Sequence, residues 1–186
     1  MRRDIMVDLE TLGVTTDSTV FQISAAMFDI RTGEIFDTFD MCCDIEKMPV
    51  VAAGSTIKWW LNTNKELLTR LLMSGECSEQ EMFQKFHEWM GEGDKETFFW
   101  GNGILFDNNF VRDKFTKFGM SYPIYYRNDR DVRTILELAT MKTGLSEADF
   151  RKKYVPENGE AHNAMSDVLY QVKMVHECYK AIMEAV

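Results

Sequence analysis

Proline is scarce, three residues in 186, and chains that stay disordered usually carry more of it and fewer apolar side chains. With 45% hydrophobic residues the chain has material for a sizeable core, and its length makes residues 1–186 one expected domain. Long apolar runs are missing. None reaches the roughly 18–20 residues of a membrane span, so no membrane partner is expected. Arg2 and Arg3 look like the start of a signal peptide, but Asp4, Asp8 and Glu10 interrupt any apolar segment behind them, which rejects that reading. The four cysteines (Cys42, Cys43, Cys77, Cys178) fit no zinc spacing, and reduced thiols in a cytoplasmic protein are the expectation. Positive charge is short as well: 21 Lys and Arg against 30 Asp and Glu give a formal net charge of −9. Non-specific binding to phosphates rests on Lys and Arg, so the balance argues at first against nucleic acid.

Three apolar-rich segments come first. Residues 4–9, 19–30 and 35–43 read as strands, with turns at Thr11–Gly13 and Arg31–Glu34, and the short connections make them antiparallel neighbours. Helices follow. Thr63 with Glu66, and Ser78 with Glu81, have capping-box spacing ahead of apolar residues at helical period. Residues 97–100 form a short strand before Gly101-Asn102-Gly103, and residues 105–118, 131–143 and 163–185 carry helical patterns. Pro123–Tyr126 reads as a further short strand, and residues 144–161 as a polar connection. This order predicts an α/β fold: a mixed sheet of five to six strands, antiparallel first and then parallel, flanked by helices.

The chemistry lies in the acids. Asp8 and Glu10 sit two apart at the end of the first strand, so both carboxylates project from one face. Like charges this close call for a cation between them, and a hard divalent ion such as Mg²⁺ or Mn²⁺ suits oxygen ligands. Alone the pair is better explained by a solvated strand end. Asp107 follows the mid-chain strand at a helix start, where an acid also complements the helix dipole. His162 and Asp167 lie in His-Asn-Ala-Met-Ser-Asp. On one ideal helix they would point about 140° apart; they converge if His162 precedes the helix, Asn163 caps it, and Asp167 lies in its first turns. His87 and His176 fall mid-helix without partners and read as structural.

In order, these blocks resemble the DEDDh subgroup of the DEDD 3′–5′ exonucleases, which have a ribonuclease H-like fold. Asp8 and Glu10 match the first block, Asp107 the second, and His162 with Asp167 the third. A sibling subgroup has Tyr four residues before the last Asp, where this chain has Asn163. Thr56–Trp60 and Arg130–Thr134 are similar to segments of phage DexA-type and RNase AS exonucleases, a group also described as exodeoxyribonuclease VIII-like. The resemblance implies two Mg²⁺ or Mn²⁺ ions, one between Asp8, Glu10 and Asp167 and one on Asp8 with Asp107, and His162 as the base that takes a proton from water. A histidine's ordinary pKa, about 6.5, suits that task. The implied reaction releases nucleoside 5′-monophosphates from the 3′ end of single-stranded RNA or DNA, and the choice between the polymers stays open.

The resemblance also places Thr11 and Leu12 as wedges between terminal bases. Base stacking on aromatics is worth about 1–3 kcal/mol, and Trp59, Trp60 and Phe106 are candidates, with Phe21 better read as core. Neighbours on a helix point about 100° apart, so Trp59 and Trp60 cannot both enter one core. Residues 112–153 hold ten Lys and Arg against six Asp and Glu; most read as solvated helix faces, with Arg130 and Arg133 as candidates for contacts to phosphate or a partner subunit. A homodimer is compatible with the family and with an exposed Trp. Two other readings stand beside the leading one: a polymerase-proofreading exonuclease subunit, and a ribonuclease H-like interaction module without catalysis, against which the intact acidic set argues.

Overall fold

The computed structural model describes residues 2–156 and 162–184; Gly159 and Ala185, assigned above to a loop and a helix end, lie outside the described residues. Five strands form one mixed sheet: β1 (Arg3–Thr11), β2 (Val20–Phe28), β3 (Ile35–Cys42), β4 (Thr97–Gly101) and β5 (Asp129–Asp131), in the order β3-β2-β1-β4-β5. β1 pairs antiparallel with β2 and parallel with β4, and β5 is parallel to β4. The parallel pair therefore brings the carboxyl ends of β1 and β4 to one edge of the sheet, where α/β folds bind ligands.

Alternation along β1 divides the interior. Ile5, Val7 and Leu9 enter one core with Phe21, Ile23, Phe83, Phe99 and Phe115. That core packs against α1 (Gly54–Thr63), α2 (Lys65–Met73), α3 (Glu79–Met90) and α4 (Asp107–Lys117). Met6 enters the other core with Phe28, Trp100 and Val172, under α5 (Val132–Thr143), α6 (Glu147–Tyr154) and α7 (Ala164–Met183). Asp8 and Glu10 lie on that second face, beyond the end of its apolar lining. Among the described residues no helix is long and apolar enough to cross a membrane, and the four cysteines are free.

Three expectations need correction. Pro123–Tyr126 is not a strand; the fifth strand is the polar Asp129–Asp131. Side chains hold it in place of an apolar face: Asn108, Arg112 and Tyr122 all donate to the Asp129 carboxylate. The connection from Gly144 contains α6, capped by Ser146, which accepts from the Asp149 N–H, with Phe150 as its one buried residue. Thr63 belongs to α1, and Asn64 caps α2 by accepting from the Leu67 N–H at 3.0 Å. The Ser78–Glu81 capping box forms as the spacing requires.

A buried ion pair ties the loop after β1 to the helical layer. Lys114 Nζ lies 2.7 Å from Glu79 Oε1, and both side chains are almost wholly buried. The same Glu79 oxygen accepts from the Val20 N–H at 2.8 Å. Lys114 also donates to the Asp17 carbonyl at 3.4 Å. Both ends of the pair thus hold the segment that returns from β1 to β2. Removing one partner strands a charge in the interior, which costs about 3–5 kcal/mol. Lys114→Met should lower stability by about 3 kcal/mol in urea denaturation, and adding Glu79→Gln, which keeps an acceptor for Val20, should recover more than half; a double variant no better than the single one would contradict this account.

Candidate active site

The Asp8 and Glu10 side chains leave β1 on one face, opposite Ser24 and Gln22 of β2. Asp167 arrives from the first turns of α7, and its carboxylate offers an oxygen that lies, with oxygens of Asp8 and Glu10, in a group within 4.8 Å of one another. Asn163 caps α7 by accepting from the Ser166 N–H. His162 stands just before the cap and donates its backbone N–H to Asp167 Oδ2 at 3.1 Å. Its φ of 63° is unusual for a residue with a side chain. The imidazole meets the Trp59 ring edge to face, centroids 4.9 Å apart.

Asp107 joins from the other strand of the parallel pair. It is buried at the first turn of α4, where the backbone N–H groups of Leu9 and Asp107 favour its charged form. The turn from β4 to α4 passes Gly103 at φ 114°, where a Cβ would stand 3.3 Å from the Arg133 guanidinium. Arg133 bonds the Asn102 side chain at 3.4 Å, and its charge acts favourably on Asp107. Gln171, one turn beyond Asp167, donates from Nε2 to Asp8 Oδ1 at 2.9 Å.

Electrostatics set the chemistry. Burial, then the charge of Asp107, raises the Asp8 carboxyl well above its usual range, with the Gln171 bond opposing. Glu10 is pushed up to about 10 by burial and then by Asp8, Asp167 and Asp107. Burial carries Asp107 to about 7 against its N–H donors and Arg133. Asp167 is raised by burial and eased by His162. Carboxyl groups clustered under this strain match the donor set of a hard divalent cation, all oxygen and, once their protons leave, anionic.

Beside Glu10 a groove of about 520 Å³ is lined by Leu9, Thr11, Val14, Thr56, Trp59 and Phe106 among others. Trp59 is 44% exposed while Trp60 is 1% exposed, edge-on to Phe21, with its indole N–H donated to the Thr11 carbonyl. Trp60 therefore supports the groove from behind and is not a stacking platform. Leu12 is also corrected: at 2% exposure it belongs to the core and cannot wedge between bases. Thr11 is buried, and its hydroxyl donates to the Gly13 carbonyl at 2.7 Å. Arg130 is drawn elsewhere. Its guanidinium lies over Phe98 and donates to the Arg127 and Asp129 carbonyls. Phe98 pairs with Asp4, roughly 13 Å of strand from Asp8. Within the 112–153 stretch, Lys114, Arg112 and Arg151 are paired to Glu79, Asp129 and Glu147, while Lys117, Arg127, Lys142, Lys152 and Lys153 stay exposed. His87 and His176 bond the carbonyls of Ser121 and Ile30. Sequence reasoning missed Gln171 and Val14; the available signal for Gln171 was a polar residue inside the buried stripe of Val168, Val172 and Val175.

Residues 3–179 match the family described as the 3′–5′ exoribonuclease Rv2179c-like domain, and the chain belongs to that family. None of the curated proteins matches the chain. Among solved structures, zinc-bound E. coli exonuclease I with single-stranded DNA superposes with a TM-score of 0.72 at 18% identity, over 98% of this chain and 41% of that one. The chain thus spans about two-fifths of that protein's length. Cell-death related nuclease 4 gives 0.67 at 15% identity, over 94% of this chain and 62% of that one. S. pombe Pop2p in its Mg²⁺- and Mn²⁺-bound form gives 0.67 at 14%, over 95% and 82%. These likenesses establish the ribonuclease H-like exonuclease fold.

The raised carboxyls make stability depend on pH in a defined sense. Glu10 and Asp107 hold protons in the folded, cation-free chain that the unfolded chain releases near pH 4–4.5. Stability in EDTA should therefore fall as pH rises from about 5 through 7 and onward toward 10. Each kcal/mol lost lowers Tm by about 2–4 °C at this size. Saturating Mn²⁺ should cancel that fall between pH 6 and 8, where a cation takes the place of the protons. Thermal melts in the two buffers check this; identical pH profiles with and without Mn²⁺ would contradict it.

Proposed function

We propose that the protein is a divalent-metal-dependent 3′–5′ exonuclease of the DEDDh type that acts on single-stranded nucleic acid. The observation that carries this reading is the meeting of Asp8, Glu10 and Asp167 oxygens within 4.8 Å, with Asp107 and His162 beside them at the same edge of the sheet. Asp8, Glu10 and Asp167 would hold one ion and Asp8 with Asp107 a second. Bound divalent cations neutralise phosphate charge and lower the pKa of water. His162 takes a proton from the attacking water, oriented by its backbone bond to Asp167 and by the Trp59 ring. Attack at phosphorus breaks the bond to the 3′ oxygen and frees a nucleoside 5′-monophosphate. The groove beside Glu10 receives the terminal nucleoside, with Trp59 and Phe106 as apolar walls. Arg133, close enough to bear on Asp107, is the cation placed to meet a phosphate.

RNA is the substrate we favour, supported by the description of the family. Single-stranded DNA is the second reading, supported by the likeness to exonuclease I bound to oligonucleotides. The segments Thr56–Trp60 and Arg130–Thr134, similar to DexA-type and RNase AS exonucleases, fit either.

The test is digestion of 5′-labelled single-stranded RNA and DNA with Mg²⁺, Mn²⁺ or EDTA. A ladder shortening from the 3′ end, stopped by EDTA and faster on RNA, is expected. Asp8→Ala should lower the rate by about a thousandfold or more, since charge stabilisation by metal supplies several kcal/mol; near-wild-type activity in that variant would refute the site. Trp59→Ala should raise KM by about 5- to 100-fold, the value of one stacked base.

A further inference from the structure

Gln171 is an anomaly in α7. Its neighbours Val168, Val172 and Val175 fill the core, and Gln171 itself is 5% exposed. A buried amide has to satisfy both of its ends or lose free energy. Here Nε2 donates to Asp8 Oδ1 at 2.9 Å, while Oε1 is buried with no partner among the described residues. The orientation follows from the chemistry: a carboxylate only accepts, so the amide nitrogen must face it. The stripe would pack without penalty if an apolar residue stood at this position, yet the chain keeps one that leaves an acceptor unpaired. That arrangement makes sense if the bond to Asp8 matters more than the packing.

We propose that Gln171 is a positioning residue, which fixes the rotamer of the Asp8 carboxylate for cation binding and turns its unpaired carbonyl oxygen toward the same space to accept from water there. The proposal rests on the metal-site reading above. Asp8 is the group that both ion positions share in that reading, so its rotamer governs both. A side chain one turn from Asp167 suits the task, because residues i and i+4 of a helix lie on one face. Asp167 and Gln171 are therefore fixed by one rigid element, and α7 sets the spacing of two carboxylates at once. Partners that orient metal ligands are typically worth 10- to 100-fold in affinity.

The experiment is calorimetric titration of the metal-free protein with Mn²⁺, which needs no turnover. Gln171→Met should weaken the tighter Mn²⁺ site 10- to 100-fold, with the circular dichroism spectrum unchanged. Gln171→Asn keeps an amide but withdraws it by one methylene, so it should weaken Mn²⁺ in the same direction, and it serves if the Met variant does not fold. Val172→Ala truncates the neighbouring core position and should lower the melting temperature while leaving Mn²⁺ affinity within twofold of wild type. Unchanged affinity in the Gln171 variants would overturn the proposal, and so would an equal loss in Val172→Ala, which would assign the effect to helix packing. Absence of Mn²⁺ binding by the wild type is a different result: it would remove the metal-site reading itself, and the role of Gln171 with it.

Discussion

Carboxylates that repel one another converge at the edge of the sheet where β1 and β4 end together, and the fold resists that repulsion piecemeal. The Leu9 N–H and Arg133 ease Asp107. Gln171 eases Asp8, and the His162 N–H eases Asp167. Each device is local and partial. Glu10 stays near 10 and Asp107 near 7, so the compensation falls short by a margin that a small cation of high charge would fill. The strain is thus concentrated where a ligand can relieve it, as backbone strain also is at His162.

Holding such a cluster requires that β1 not move. Buried charged groups fix its two ends. At the start, Asp4 is 1% exposed and receives a bidentate Arg2 and the Trp100 indole N–H. At the finish, the Lys114–Glu79 pair grips the returning loop, while Trp60 donates to the Thr11 carbonyl. Paired charges in the interior cost more than apolar packing would, but they define a single geometry. The anchors come from β4, α1, α3 and α4, so both core layers contribute to the placement of one short stretch of strand.

Much of this was legible in the sequence, for identifiable reasons. β1 to β3 have apolar residues spaced for a sheet, and their short connections leave few pairings. The acids were legible as three blocks because each sits at an element boundary, where spacing and turn residues are informative. β5 was not, because Asp129 is held by Asn108, Arg112 and Tyr122 and not by an apolar face. α6 was missed because only Phe150 is buried. Burial separated Trp59 from Trp60, and Leu12 from the groove; spacing showed that the two tryptophans must differ but not which one faced out. Gln171 was hidden for the opposite reason: its position in the pattern is a core position, and only the distance to Asp8 marks it as something else.

Charge first argued against nucleic acid, and the structure sharpens that point. The local excess of Lys and Arg in residues 112–153 suggests a phosphate-binding surface from sequence alone. Four of its ten members are instead spent on Glu79, Asp129, Glu147 and the Phe98 ring, Arg133 lies beside the acids, and the other five are exposed. A polyanion approaching the bare cluster meets carboxylates, one guanidinium and an apolar groove. In the proposed reading the order of events follows from this: cations must occupy the acids before a phosphate can approach them. Long-range steering is then weak. Affinity has to come from short-range contacts, from charge neutralised at the cluster and from the faces of Trp59 and Phe106, both of which favour a free single-stranded end over the interior of a duplex.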